Sequence, residues 1–196
     1  MRWWNACDPM ESISERVSAE RSEGGLSVVI GARIGNGRMA LLWAWLALWT
    51  ACGVYFMVEL AQAPTGDLRV ALMVMLAFWA YFEVRVWRSA LWRAKGFELW
   101  RVKDGEFTVK NSLFGYGKAD RWFTGNISRF GLLNMDEAGW KWQMSDSFWG
   151  RGAERIGFEH AGKKVAIGRG LTREEARSLV GVVAEALKRE RKAGKA

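Results

Sequence analysis

Histidine, cysteine and proline are almost absent: one, two and two residues in a chain of 196. Cys7 and Cys52 have no histidine neighbours, and His160 stands alone, so no zinc site is expected. One cysteine lies in a polar segment and the other inside an apolar run, so a structural disulfide is not expected either. His160 falls at the end of an expected strand, a surface or turn position rather than that of a catalytic base. Neither apolar run contains a histidine, which removes the commonest axial ligand for haem or chlorophyll. The chain also lacks a phosphate-cradling loop and a nucleophile elbow. No catalytic, cofactor-binding or metal-binding residue is assigned, and a non-enzymatic protein is expected. Arg2 is not followed by an apolar stretch, so the first apolar run is expected to act as its own insertion signal.

What is abundant is apolar surface, and it is concentrated. Half the residues are hydrophobic, yet mean hydropathy is only −0.10. Two runs hold the excess, Met39–Ala61 and Leu68 to about Trp87, each close to the roughly 20 apolar residues that cross a bilayer core. Gln62-Ala63-Pro64-Thr65-Gly66-Asp67 joins them, short enough to return the second helix antiparallel to the first. The expected layout is a polar segment over 1–37 with a possible strand at Leu26–Ile30, a two-helix transmembrane hairpin over 38–95 (helices about 39–61 and 68–90), a folded domain over 96–190 and a basic tail over 191–196. Within 1–37, Ser12–Glu23 reads as a solvated segment or a weak helix.

Charge sets the orientation. Arg33 and Arg38 precede the first helix, and Arg85, Arg88, Arg93 and Lys95 close the second, against Arg69 alone near the connection. The positive-inside rule then places both termini in the cytoplasm of a bacterial inner membrane. Glu59 lies about 21 positions beyond Arg38, roughly 30 Å along a helix, at the outer interface. Glu83 and Arg85 fall near the inner interface, where local pairing or snorkelling is expected rather than a proton path. Thr50, Ala51, Gly53 and Ala47 offer a small-residue face, with the second helix as its expected partner.

From Phe97 onward short alternating runs replace the apolar ones. Asp104-Gly105 between two such runs is a hairpin signal. Leu113–Tyr116, Arg121–Thr124, Ile127–Leu133 and Trp140–Met144 are further strand candidates, and Arg155–His160 and Lys164–Ile167 form a second hairpin around Ala161-Gly162-Lys163. Asn134–Gly152 reads as a long loop. Thr172-Arg173-Glu174-Glu175 is a capping box, and Ala176, Leu179, Val180, Val183, Ala184 and Leu187 make the apolar stripe of a terminal helix. Antiparallel strands closed by such a helix give the expected fold class, α+β: a bent sheet or small barrel of pleckstrin-homology-like plan beside a membrane α-helical hairpin.

The chain resembles poorly characterised bacterial membrane proteins with two helices and a cytoplasmic pleckstrin-homology-like domain. The residues that carry the likeness are Leu91-Trp92 leading to Gly96-Phe97-Glu98, the Val102-Lys103-Asp104-Gly105 hairpin, Gly115 to Gly117, and Gly168-Arg169-Gly170-Leu171-Thr172-Arg173-Glu174-Glu175-Ala176. A photosystem-assembly family of cyanobacteria and chloroplasts shares the general plan. The resemblance implies a scaffold, assembly or accessory role and supplies no catalytic residues.

Thirteen tryptophans supply candidate contact residues. Trp43, Trp49 and Trp79 lie in the apolar runs, and Trp87 suits the interfacial belt. Trp140, Trp142, Phe148 and Trp149 cluster in the expected loop, where a protein partner or shallow lipid insertion would use them. Nineteen basic against thirteen acidic residues from Phe97 onward suggest contact with anionic lipid, with Arg169 in its glycine-flanked turn and Lys188, Arg189, Arg191 and Lys192 near the C-terminus as the candidates. No nucleic-acid surface is indicated. The expected function is a non-catalytic accessory or assembly subunit of a larger integral-membrane complex, energy-converting or photosynthetic complexes included. The alternative is a membrane-tethered sensor whose domain binds anionic headgroups.

Overall fold

The computed structural model describes residues 11–22, 25–134, 139–140, 143, 150 and 152–193. The chain divides into two compact units, Ile34–Ala94 and the residues on either side of it. The first unit consists of α1 (Asn36–Gln62) and α2 (Asp67–Lys95). Among the described residues, the second holds nine strands and a terminal helix.

Each helix of the first unit is long and apolar enough to cross a membrane, with mean hydropathy 1.7 and 1.6 over the most apolar window. At 27 and 29 residues they extend about 40 and 44 Å, against a bilayer core of about 30 Å. They run a few residues past the apolar segments because Asn36–Arg38 and Arg88–Lys95 are also helical. Ala63 turns extended at φ −67°, ψ 131°. Pro64 follows it, and the residue before a proline is pushed out of the helical region.

The second unit opens with β1 (Glu11–Ser14), β2 (Val17–Ser22) and β3 (Gly25–Gly31). After the helices come β4 (Gly96–Lys103), β5 (Glu106–Leu113) and β6 (Ala119–Phe123). These six form one antiparallel sheet in chain order. A 3-10 turn, Thr124–Asn126, leads to a second antiparallel sheet of β7 (Ile127–Leu132), β8 (Glu154–His160) and β9 (Lys163–Arg169). The terminal helix α3 spans Arg173–Ala193.

Residues 11–22 therefore correct the sequence expectation. They form a hairpin of the main sheet, neither a solvated segment nor a weak helix. Val17 and Ala19 alternate into the core beside Leu26, Val28 and Ile30 of β3, while Glu20, Arg21 and Ser22 stay exposed. β3 pairs along its length with β4, from Leu26↔Val102 to Gly31↔Phe97, and the Ala32 N–H donates to the Gly96 carbonyl at 3.1 Å. Both long helices are thus inserted in the connection between two neighbouring strands. The folded domain needs residues on both sides of them, not 96–190 alone.

The core joins both sheets and α3. Trp100 and Phe107 of the first sheet meet Ile127, Ile156 and Phe158 of the second, and Ala176, Leu179, Val183 and Leu187 of α3 close it. Val180 and Ala184 border that stripe, half-buried. Phe107 lies at the centre of an aromatic cluster, with ring centroids of Trp100, Trp122, Phe130 and Phe158 5.7 to 6.2 Å away. Trp100 and Trp122 are thereby packing residues.

Two expected strands fall elsewhere. Leu113 and Tyr116 pair across a tight turn at Phe114-Gly115, which ends β5. Trp140 and Gln143 are helical, and the Gln143 N–H donates to the Gly139 carbonyl at 3.1 Å. The Asp104-Gly105 and Ala161-Gly162 turns are where the sequence places them, each with positive φ at both central residues. Such turns match the twist of paired strands.

Candidate functional site

Polar and aromatic side chains of the helix unit converge on Glu83. Glu83 is 8% exposed, between two helices whose contact is mostly apolar. Its Oε1 lies 2.6 Å from the Thr50 hydroxyl of α1 and accepts the Trp87 indole N–H at 2.9 Å. Thr50 also reaches the Leu46 carbonyl one turn back, at 2.8 Å. The second carboxylate oxygen, Oε2, is buried and has no hydrogen-bond partner. Trp43 meets Trp87 edge-on at 5.5 Å. Nearby, Trp79 donates its indole N–H to the Trp49 carbonyl at 3.0 Å.

Gly53 makes that approach possible. A Cβ there would stand 2.0 Å from two Trp79 ring carbons. The small-residue face thus receives a tryptophan of the second helix. Gly53→Leu is expected to weaken the helix pair by about 1–3 kcal/mol through overpacking, while Ala51→Leu at an exposed neighbour has little effect. Denaturation with sodium dodecyl sulfate in mixed micelles measures both, and equal loss in the two variants would refute the Gly53 contact.

A second convergence lies at the turn from β9 into α3. Glu98 of β4 is 2% exposed, and its carboxylate accepts the backbone N–H groups of Gly168 at 3.3 Å and Arg169 at 3.1 Å. Burial pushes the Glu98 carboxyl above its ordinary range, and those two N–H groups oppose the shift. The Arg169 side chain is committed to Glu154, with Nη2 2.7 Å and Nε 2.8 Å from Oε1. The backbone N–H groups of this glycine-flanked turn are thus taken by the protein's own Glu98, and the Arg169 guanidinium by Glu154. Strand alternation signalled Glu98, because Gly96, Glu98, Trp100 and Val102 share the inward face of β4.

The same junction ties down the first hairpin. Arg16, in the β1–β2 turn, donates to Glu175 through Nε at 3.1 Å and Nη2 at 2.7 Å, and Nη2 also reaches the Gly170 carbonyl at 2.8 Å. Ser14 donates to the same carboxylate at 2.8 Å. The capping box closes reciprocally, Glu175 N–H to Thr172 Oγ1 at 3.2 Å and Thr172 N–H to Glu175 at 2.7 Å. Burial alone would raise the Glu175 carboxyl; the Arg16, Thr172 and Ser14 hydrogen bonds outweigh it and bring it from 4.5 to about 2.

The basic end of α3 is divided. Arg191 donates to the carbonyls of Thr124, at 2.8 Å, and Ile127, so it anchors the helix to the 3-10 turn. Arg189 pairs with Glu185 at 2.6 Å. Lys188 and Lys192 are exposed. A crevice of about 250 Å³ between β2, β3 and this end of α3 is bordered by Arg21, Glu185, Arg189 and Glu190. Its charges are engaged as well: Arg21 reaches Glu185 at 3.4 Å and Glu190 accepts the Gly105 N–H at 2.9 Å.

Of the aromatic candidates, Trp43, Trp49 and Trp79 are half-buried in the helix pair, and Trp87 is 39% exposed. Trp140 is 67% exposed. Trp142, Phe148 and Trp149 lie outside the described residues. No group of three acidic, histidine or cysteine side chains suited to a metal occurs among the described residues. Comparison with protein-family models, with curated proteins and with solved structures finds no match.

Proposed function

We propose that α1 and α2 form a transmembrane hairpin of a bacterial inner membrane with both termini cytoplasmic. In this reading the sheet unit is a cytoplasmic domain of pleckstrin-homology-like plan, and the protein serves as a non-catalytic accessory or assembly subunit of a larger integral-membrane complex. The observation that carries the reading is the division of surface. The helices leave most of their apolar windows uncovered, with 17% and 11% buried, and Leu41, Leu48, Tyr55, Phe78 and Tyr81 stand outward. In the domain, the described charged groups nearest to forming a site are engaged internally, as the Glu175, Glu98 and Glu154 contacts show. What the described helix residues offer is apolar and aromatic surface. Two antiparallel sheets around an aromatic core, closed by a C-terminal helix, support the pleckstrin-homology-like plan. Nothing in the fold singles out an energy-converting or photosynthetic complex.

Purification of the tagged protein from its native membrane in mild detergent tests the function. A defined complex containing other integral proteins is the expected result, and a lone monomer at every detergent tried would refute it. Cysteine labelling tests the topology with Cys7 and Cys52 replaced. Thr65→Cys should label from the periplasmic side and Lys118→Cys should not. For the sensor alternative, Lys188 and Lys192 are exposed, whereas Arg169 is paired with Glu154.

A further inference from the structure

The turn between β5 and β6 carries two aromatic side chains that the fold does not use. Phe114 is 56% exposed and Tyr116 is 84% exposed. Leu113 and Tyr116 exchange both backbone hydrogen bonds, at 2.8 and 3.0 Å, which leaves Phe114-Gly115 as a two-residue tip. Phe114 has φ 54° and Gly115 φ 86°. A turn with both angles positive favours asparagine or aspartate followed by glycine, and Asp104-Gly105 follows that preference at φ 53° and 74°. A non-glycine residue without a locally bonding side chain is disfavoured in this region. Phenylalanine therefore stands where the backbone disfavours it, and its ring does not enter the core in return.

Strand register gives the tip its place. β5 pairs antiparallel with β4 so that Leu113 is opposite Gly96, and Gly31 of β3 is opposite Phe97. The tip lies beyond the end of the sheet at which the chain leaves for α1 and returns from α2. Arg33, Lys95 and Lys118 are exposed at this end, with Lys118 3.8 Å from Asp120. Phe123, another exposed aromatic, pairs with Glu106 at the opposite end. α2 runs without interruption into β4, and from Trp87 at the end of the apolar run to Gly96 is at most about 13 Å along the helix. The headgroup layer occupies about 5–8 Å of that.

We infer that Phe114 and Tyr116 form an interfacial anchor, which seats this end of the domain in the headgroup region of the leaflet its own helices enter, flanked by basic residues. The inference rests on the transmembrane reading. Aromatic rings with a polar tip or neighbour favour that layer, and exposed cations beside them favour anionic lipid.

The test uses the full chain with Cys7→Ser and Cys52→Ala, reconstituted in nanodiscs of phosphatidylcholine and phosphatidylglycerol. Single cysteines at Val54, Lys118 and Asp104 carry an environment-sensitive fluorophore, and spin-labelled lipids with shallow or deep nitroxides act as quenchers. Val54 should be quenched by the deep label and Lys118 by the shallow one, with Asp104 quenched several-fold less than Lys118. The double variant Phe114→Asn, Tyr116→Thr should lower the quenching at Lys118 toward the Asp104 level. It also supplies the residue the turn prefers, so its melting temperature should not fall. Quenching at Val54 with Lys118 no more quenched than Asp104 would overturn the anchor and leave the transmembrane reading standing. Lys118 quenching unchanged by a folded double variant would overturn it equally, because the tether alone would then account for proximity. No quenching at Val54 would remove the transmembrane reading and the anchor together. A double variant that fails to fold leaves the comparison of Lys118 with Asp104 to decide.

Discussion

A fragment that begins at Phe97 is expected not to fold. It lacks β1 to β3, and with them Val17, Ala19, Leu26, Val28 and Ile30, five of the core side chains. It also uncovers the whole edge of β4, from Phe97 to Val102, which β3 pairs in the intact chain. Each fully buried aliphatic side chain contributes about 1.5–3 kcal/mol, so the loss is of the same order as the 5–15 kcal/mol that keeps an ordinary domain folded. The complementary chain should behave differently. Residues 11–31 joined by a short glycine-serine linker to Gly96–Ala196 retain every strand, because Gly31 and Phe97 are already neighbours. That protein is expected to be soluble and to unfold cooperatively, whereas the Phe97–Ala196 fragment should show no thermal transition. A cooperative transition in the fragment would show that β1–β3 are dispensable.

Glu175→Ala is expected to produce the largest single-residue loss outside the core. The carboxylate accepts from Ser14, from two nitrogens of Arg16 and from the Thr172 N–H. Its removal leaves a half-buried guanidinium with only the Gly170 carbonyl and strips the α3 cap, at a cost of about 3–5 kcal/mol. The pH dependence has a definite sign. Glu175 lies at about 2 in the folded protein against an ordinary 4.5. Its contribution is complete above the unfolded value and is lost as pH falls from about 4.5 toward 2. Glu98 acts in the opposite sense, because its folded value is raised. Its contribution is present at low pH and is lost as pH rises through the folded value. Thermal unfolding from pH 2 to 7 should show the wild type losing stability on the acid side more steeply than Glu175→Gln. Parallel curves would assign acid lability to other carboxylates.

Local signals were easy to read in this chain and distant ones were not. Asp104-Gly105, Ala161-Gly162, the capping box at Thr172 and the stripe from Ala176 to Leu187 each lie within a few residues of their partners. The long helices announced themselves by apolar length, and Pro64 marked where the first ends. The β1–β2 hairpin escaped because only Val17 and Ala19 of β2 are fully buried, among Glu15, Arg16, Glu20 and Arg21. Two buried positions do not distinguish a half-buried strand from a polar helix. Its pairing with the rest of the domain runs through β3 and β4, across both helices, where no local pattern can indicate it. Arg16 gave no sign that its partner would be Glu175, far along the chain. Among the candidate contacts, Trp43 meets Trp87 and Trp79 reaches Gly53 and the Trp49 carbonyl, contacts between the helices that apolar content alone does not indicate.

The insertion of both helices between β3 and β4 has a consequence for biogenesis. During synthesis β1 to β3 emerge first, and β3 waits with one edge unpaired until β4 follows two helices later. If those helices span the bilayer, β3 and β4 reach the same side only when the chain between them crosses an even number of times. A chain that crosses once leaves the two halves of its sheet on opposite faces of the membrane, unable to join. Folding of the domain then acts as proofreading of insertion, and a mis-threaded chain presents open strand edges that quality-control proteases can recognise.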